Sequence, residues 1–522
     1  MSRWLPVGDV LRMNAMLYPD KMGAKDLYRS MTFKQWNERS CRLANGLLGL
    51  GLQKGDKVAV LAYNCVEWME IYAAVAKSGL VVVPIMFRLA GPEITYICQN
   101  SESKAFIVAK EFVDTVNGIR GDLDIPESNY IFFGGEKAPD GYRHYEDLIA
   151  NASDAEPKVE VHHRDPWTIM YTSGTTGKPK GVVRSHESYI AQYLINEVEF
   201  GFNKNDIGLL VMPMCHVNSI FYSFVFTYCG GGVCVYNMVS FDPEHLLKVI
   251  SEERITYTSL VPTHYIMILS LPDEVKAKYD VDCIRKLMCS SAPAREDTKL
   301  GILEFFKNSE LYEAYGSTEA GLVTLLHPED QLRKLGSIGR EVIGTDRILL
   351  LDEDRNEVPD GEVGELFSRT PMVFDEYWKM PEKTKEVFFG EYFSAGDMAY
   401  RDEDGFYHLV DRKNNMIITG GENVFPSEVE NVIGKHEAVK DVAVIGIPHE
   451  KWGEAVHAVV ILHEGKTATA EEIIQFCRGK IAGYKIPKSV DFIKDEEMPR
   501  TGTGKILHRK LRERYGSWSQ KK

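Results

Sequence analysis

No stretch of this 522-residue chain approaches the roughly 20 consecutive apolar residues that cross a bilayer. The start, MSRWLPVGDVLRMNAMLYPDK, has no secretory apolar core, because Asp9 and Arg12 interrupt it. The end, SWSQKK, is neither a prenylation box nor a peroxisomal tripeptide, so the expected setting is the cytoplasm. Paired cysteines are missing too. The nine cysteines are scattered, with no Cys-x-x-Cys and no Cys/His cluster at zinc spacing, which predicts reduced, mostly buried thiols. Positive charge is in deficit, 61 Lys and Arg against 76 Asp and Glu, for a net charge of −15. Such a surface is poorly suited to wrapping a nucleic acid, yet a local basic site can still hold a small anion. Low-complexity tracts, internal repeats and long Gly/Ser linkers are absent. What remains is an ordinary globular composition, 44% hydrophobic and 26% charged, on a chain too long for one core.

Clear architecture begins at KVAVLAYN (57–64), an apolar run with strand character. CVEWMEIYAAVAKSG (65–79) follows with helical spacing and a glycine stop, then LVVVPIM (80–86) as another strand. That succession is a βαβ unit and implies a parallel sheet covered on both faces. The alternation continues to about residue 320. RILLLDEDRNEVPDGEVGELFSR (347–369) reads instead as antiparallel strands, with turns at 354–356 and 360–361. Further on, Ser427-x-x-Glu430 and Thr469-x-x-Glu472 fit capping boxes opening short helices, with strands at 439–448 and 457–465 between them. The expected fold is α/β: a large N-terminal body with parallel sheets and a small β-barrel-like part, over residues 1–412. A small mobile α+β domain over 413–522 follows it. The polar segment DRKNN (411–415) is the expected junction.

YTSGTTGKPKG (171–181) follows the apolar stretch WTIM. Three glycines (Gly174, Gly177 and Gly181), four hydroxyls (Thr172, Ser173, Thr175 and Thr176) and two lysines (Lys178 and Lys180) are crowded together. Glycines let a backbone turn close to a ligand with its N–H groups inward, while hydroxyl and ammonium groups neutralise anionic oxygens. A polyphosphate suits that chemistry, although on composition alone such a segment is more often a surface loop. The spacing is not that of a Walker A loop, since two residues separate Gly174 from Gly177-Lys178 and Pro179 follows.

The whole string closely resembles the phosphate-binding signature of the adenylate-forming enzymes, the superfamily of acyl-CoA synthetases, firefly-type luciferases and peptide-synthetase adenylation domains. The resemblance continues in order over nearly the whole chain. YGSTE (315–319) is similar to the second signature, which implies Tyr315 near the adenine, Gly316 and Ser317 along the nucleotide, Thr318 on the α-phosphate and Glu319 as a ligand of Mg²⁺. SSAPA (290–294) resembles the adenine-binding turn and implies main-chain contacts from Ser291, Ala292 and Pro293. SAGDMAYRDEDGFYHLVDRK (394–413) resembles the ribose segment, with Asp397 and Arg412 on the ribose hydroxyls. MIITGGENVFPSEVE (416–430) is similar to the loop that meets the acceptor thiol, placing Gly420, Gly421 and Glu422 at coenzyme A. PRTGTGKILHRKLRE (499–513) resembles the closing signature and makes Lys505 the adenylation lysine.

Two positions depart from the family pattern. Asn414 stands at the hinge where the family has Asp or Lys, and Ile418 replaces the second functional lysine of luciferases. The resemblance implies an ATP-dependent carboxylic acid–CoA ligase working through an acyl-adenylate, with ATP, Mg²⁺ and coenzyme A, as a monomer or homodimer. In VMPMCHVNSIFYSFVFTY (211–228), His216 falls where the family has a group near the carboxylate. Met214, Asn218, Phe221 and Tyr222, with Ser337 and Gly339, would border an apolar acid that is aromatic, alicyclic or short-to-medium aliphatic. One alternative is an adenylating enzyme that loads a carrier protein. Another is a nucleotide-binding regulator without turnover, which would need a damaged catalytic set, whereas Glu319 and Lys505 are both present.

Overall fold

The βαβ unit expected at 57–86 is present in the computed structural model as β1 (Lys57–Leu61), α1 (Glu67–Ser78) and β2 (Val81–Pro84), with β1 and β2 parallel. Every residue of α1 after Glu67 is buried, and Gly79 ends the helix at φ 67°, a backbone angle that costs glycine nothing. The structure describes residues 4–172, 179–290, 294–419, 422–449, 451–501 and 504–516.

The chain forms two compact units, Met1–Ile348 with Ser368–Ala395, and Leu349–Phe367 with Gly396–Lys522. In the first unit, β1 and β2 belong to an eight-stranded sheet. It also holds β3 (Pro166–Thr172) and β4 (Lys180–Ser185), an antiparallel pair, and beyond β4 the short edge strand Glu376–Tyr377. Helix α2 (Gly91–Ser101) precedes β3, and α3 (His186–Phe200) and α4 (Val217–Ser223) follow β4. A nine-stranded sheet contains β5 (Lys286–Ser290), β6 (Glu310–Ser317) and β7 (Gly321–Leu326). β5 and β6 are parallel, and β6 folds back on β7. A large apolar core, with Trp36, Trp68 and Trp167 fully enclosed, lies in this unit, and a separate apolar cluster includes Leu246, Ile250, Leu287 and Ile302.

The second unit opens with the antiparallel pair expected near 347–369, β8 (Leu349–Leu351) and β9 (Gly364–Phe367). These join β10 (Asp397–Arg401) and β11 (Tyr407–Arg412) in an open four-stranded sheet. The expected barrel-like part is therefore not a closed barrel: among the described residues, edge strands β8 and β11 do not pair with each other. A single 3-10 turn, Lys413–Asn415, leads into a five-stranded sheet built on β12 (Ile417–Thr419), β13 (Glu422–Val424), β14 (Val439–His449) and β15 (Gly453–Leu462). Helices α5 (Pro426–Ile433), α6 (Ala470–Cys477) and α7 (His508–Gly516) cover it.

Thr469 and Glu472 form the expected capping box at α6. Ser427 does not cap α5. The helix starts two residues earlier, at Pro426 with Phe425 at the N-cap, because the Ser427 hydroxyl donates to the Val410 carbonyl and Glu430 turns away to the Val444 N–H and His508. All nine cysteines are free, six of them buried. No helix among the described residues is long and apolar enough to cross a membrane.

Candidate functional site

The glycine-rich segment connects β3 to β4, whose last and first residues, Thr172 and Lys180, are register partners. Ser173, Gly174, Thr175, Thr176, Gly177 and Lys178 lie outside the described residues. Helix α2 clamps the base of this connection. Tyr96 Oη donates to the Pro179 carbonyl at 3.1 Å and Tyr171 Oη to Asn100 Oδ1 at 2.6 Å, while Trp378 Nε1 donates to the Asn100 carbonyl at 2.9 Å. A loop rich in glycine is thereby anchored at both ends.

YGSTE forms the end of β6 and its tight turn into β7. A Cβ on Gly316 would lie 2.1 Å from the Gly321 carbonyl oxygen, and Gly321 has φ 77°, so both positions require glycine for the chain to reverse here. Ser317 Oγ accepts the Ala320 N–H at 2.9 Å inside the turn. Thr318 is 9% exposed. Its carbonyl accepts from Arg184 Nη1 at 2.7 Å, and the Glu319 carbonyl accepts from the Phe374 N–H at 2.7 Å. The Glu319 carboxylate accepts from Tyr377 Oη at 3.0 Å, and Lys180 Nζ stands 4.0 Å from the centre of the same tyrosine ring. Two signatures separated by about 130 residues of sequence thus meet at Tyr377, with a hydroxyl, a carboxylate and an ammonium group in one cluster. Arg184, Tyr377 and Gln192, whose Oε1 takes the Leu322 N–H at 3.1 Å, were not singled out by motif. The signal for Arg184 was present: a charge inside the apolar strand KGVVRS.

Of the SSAPA segment, Ser291, Ala292 and Pro293 lie outside the described residues, but its flanks are fixed. Ser290 Oγ accepts from Asn218 Nδ2 at 2.7 Å, and the Ala294 N–H donates to Glu313 Oε1 at 3.0 Å. Glu313 is paired with Lys299 at 2.5 Å, both almost wholly buried. His216 caps α4, with its Nδ1 accepting the Asn218 N–H at 3.4 Å. Phe221 lies against Tyr189 and under the Arg184 guanidinium, whereas Tyr222 packs on Phe200 and Tyr257. Met214 is in the core, with its backbone held by Asn64 and Tyr72. Ser337 and Gly339 run beside β7, where a Cβ on Gly339 would meet the Leu325 backbone at 2.1 Å.

In the second unit, Asp397 and Arg412 are directly opposite each other across β10 and β11, and Asp397 is 7% exposed. The side chains of Arg412 and Asn414 are outside the described set. Glu422 pairs with Thr419 across the β12–β13 hairpin, whose connecting Gly420 and Gly421 also lie outside it. Lys505 is exposed on a small loop closed by reciprocal bonds with Thr501: the Thr501 N–H reaches the Lys505 carbonyl at 2.7 Å, and the Lys505 N–H reaches Thr501 Oγ1 at 3.0 Å.

No group of three or more His, Cys, Asp or Glu side chains gathers as a metal site among the described residues. Glu319 therefore offers one hard oxygen donor group, which fits Mg²⁺, an ion that takes one or two carboxylates and completes its shell with substrate phosphates and water.

A match to the AMP-binding enzyme family covers residues 11–378, and a match to the AMP-binding enzyme C-terminal domain covers 428–505. The chain is 36% identical over 490 residues to the long-chain-fatty-acid–CoA ligase FadD13 of Mycobacterium tuberculosis, spanning 93% of each. It is 34% identical to a feruloyl-CoA synthase of an Amycolatopsis species over 93% of this chain and 94% of that one. The crystal structure of the anthranilate CoA ligase AuaEII with anthranoyl-AMP superposes with a TM-score of 0.88 at 27% identity, over 100% of this chain and 99% of that one. The chain belongs to the AMP-binding enzyme family, the adenylate-forming enzymes that its ordered motifs resemble.

Proposed function

We propose that this AMP-forming acid–CoA ligase acts on a largely apolar carboxylic acid of modest size, whether aromatic, alicyclic or short-to-medium aliphatic. It uses ATP, Mg²⁺ and coenzyme A. A carboxylate oxygen of the acid attacks the α-phosphorus of ATP, the bond to the bridging oxygen breaks, and pyrophosphate leaves. The thiol of coenzyme A then adds to the carbonyl of the mixed anhydride, loses its proton, and AMP departs. The substrate brings its own nucleophile, so the protein's task is to hold anions together and offset the charge that builds up.

In this reading Thr172, Lys180, Thr318 and residues 173–178 receive the phosphates. Ser291, Ala292, Pro293 and Tyr315 to Ser317 border the adenosine, while Asp397 and Arg412 hold the ribose. Mg²⁺, when bound at Glu319, neutralises phosphate charge and keeps the pyrophosphate a good leaving group. Lys505 bridges the carboxylate and the α-phosphate. His216, Asn218 and Phe221 border the acid, with Met214, Tyr222, Ser337 and Gly339 behind them. Gly420, Gly421 and Glu422 serve the thiol step, and Asn414 marks the hinge of a moving C-terminal domain over 413–522. The proposal includes a cytoplasmic setting and a monomer or homodimer as the working species.

The observation that carries the reading is the cluster at Tyr377, where Lys180 beside the glycine-rich connection and Glu319 of the second signature share one ring. The test is a panel of carboxylic acids assayed for coenzyme A-dependent AMP formation. Preference for benzoate-type, cyclohexane-type or C4–C10 acids would bear out the acid class. Preference for dicarboxylates or amino acids would contradict it.

A further inference from the structure

Arg184 is a fully buried cation next to the C-terminal end of β4. Among the described residues no carboxylate lies within ion-pair distance of it. The acids that influence it, Asp375 and Glu319, are engaged elsewhere: Asp375 accepts the Ser185 N–H at 2.6 Å and Glu319 accepts from Tyr377. Burial pushes the guanidinium below its ordinary range, as expected for a charge taken out of water. A buried cation without a counter-ion does not help the fold, and an apolar residue of similar volume commonly serves stability as well or better. The contribution of this side chain is therefore sought in what its planar fork holds.

The fork grips two main-chain carbonyls. Nη1 donates to the Thr318 carbonyl at 2.7 Å and Nη2 to the Met372 carbonyl at 2.6 Å, while buried Nε has no partner. The flat face lies 4.9 Å from the Tyr189 ring centre and 5.0 Å from that of Phe221, which fixes the plane of the fork. Met372 belongs to the segment that closes over the turn, for a Cβ on Gly321 would meet the Met372 side chain at 2.6 Å. Arg184 thus pins the turn carrying Thr318 and Glu319 against the segment that supplies Phe374 and Tyr377 to the same turn.

We propose that Arg184 is a positioning residue for adenylation, holding the Thr318 backbone so that the threonine hydroxyl and the Glu319 carboxylate meet the nucleotide phosphates in reacting geometry. This rests on the reading of Thr318 and Glu319 as the phosphate- and Mg²⁺-facing residues. Arg184 touches no reacting atom and acts through the turn.

The test uses the full-length enzyme with Arg184→Met, which keeps volume and removes the fork, and Arg184→Lys, which keeps the charge and one donor direction. Thr318→Ala and the Arg184→Met/Thr318→Ala double variant complete the set. Acid-dependent ATP–pyrophosphate exchange is measured against Mg·ATP concentration, thioester formation from pre-made acyl-adenylate is measured separately, and melting temperatures are recorded. Arg184→Met is expected to lower kcat/KM for Mg·ATP in the exchange by about tenfold to a hundredfold, the scale of a displaced catalytic group. Thioester formation should change much less, and Arg184→Lys should recover part of the loss. Because Arg184 acts through the turn, the double variant should fall little below the worse single variant. Should Arg184→Met not fold, Arg184→Lys and its double variant with Thr318→Ala carry the same comparison. Multiplying losses, or an equal fall of both half-reactions, would overturn the proposal. So would normal exchange in Arg184→Met alongside impaired exchange in Thr318→Ala. Normal exchange in Thr318→Ala would instead overturn the underlying reading of the turn.

Discussion

Tyr377→Phe removes a single oxygen atom from the point where the two signatures meet. The ring stays, and with it the packing of a residue only 3% exposed and the face that Lys180 sits over at 4.0 Å. What disappears is the hydrogen bond to Glu319 Oε1 at 3.0 Å. A hydrogen bond to a charged group contributes about 1.5–3 kcal/mol, and because Glu319 is partly exposed the lower end applies, or roughly tenfold. The loss should appear in kcat/KM for Mg·ATP, since the carboxylate is left without one of the groups that aim it. Tyr377→Ala also removes the ring beneath Lys180, so it should cost a further ~0.5–1 kcal/mol, or about threefold more. The assay is acid-dependent pyrophosphate exchange titrated separately with ATP and with Mg²⁺, with melting curves as the control for folding. If Tyr377→Phe leaves the Mg·ATP dependence unchanged while Tyr377→Ala is impaired, the hydroxyl does not orient Glu319 and this reasoning fails.

Lys505→Ala should nearly abolish acyl-adenylate formation, with losses of about 2.7–4 kcal/mol, while sparing thioester formation from pre-made acyl-adenylate; equal loss in both half-reactions would remove its assignment to the first. Asn414→Pro, in the 3-10 turn Lys413–Asn415 that joins two sheets, fixes φ and restricts Lys413, so acyl-AMP should form and stay bound while thioester release slows in a single turnover; unchanged release would place the hinge elsewhere. His508 also carries a pH signature. Burial alone would lower its pKa, but the hydrogen bond to Glu430 at 2.8 Å and the nearby Glu430 charge outweigh burial and raise it. A raised histidine stabilises fully below the unfolded value of about 6.5 and loses that contribution as pH rises through the raised value. Melting of the second unit should therefore decline over that rise, and His508→Gln should flatten the decline; parallel pH profiles for the two proteins would contradict it.

Much of the fold and site was legible because both local pattern and chemistry are local in sequence. The βαβ unit at 57–84 announces itself through apolar runs and a glycine stop, and the Thr469 capping box is satisfied by residues three apart. Ser427 has the same spelling as Thr469 but a different fate, since the Val410 carbonyl and Asp411 capture its polar atoms and His508 and Val444 take Glu430. Those partners are distant in sequence, so no local rule sees them. Arg184 and Tyr377 escaped for the same reason. Their partners, Thr318 and Glu319, lie 134 and 58 positions away and meet them only once β4, the strand Glu376–Tyr377 and the β6–β7 turn are assembled. The hairpin at 349–367 was readable as antiparallel from its turn residues. Its membership in the second unit was not, because strand partners 30 or more residues away leave no mark on either segment.

The most direct measurement of the central claim is the product balance of one reaction mixture holding Mg·ATP, coenzyme A and a preferred acid. AMP, pyrophosphate and acyl-CoA should appear in equal amounts, none of them forming without the acid, and with coenzyme A withheld one equivalent of acyl-AMP should remain on the enzyme. ADP and orthophosphate in place of AMP and pyrophosphate, or AMP released at the same rate without any acid, would contradict the account.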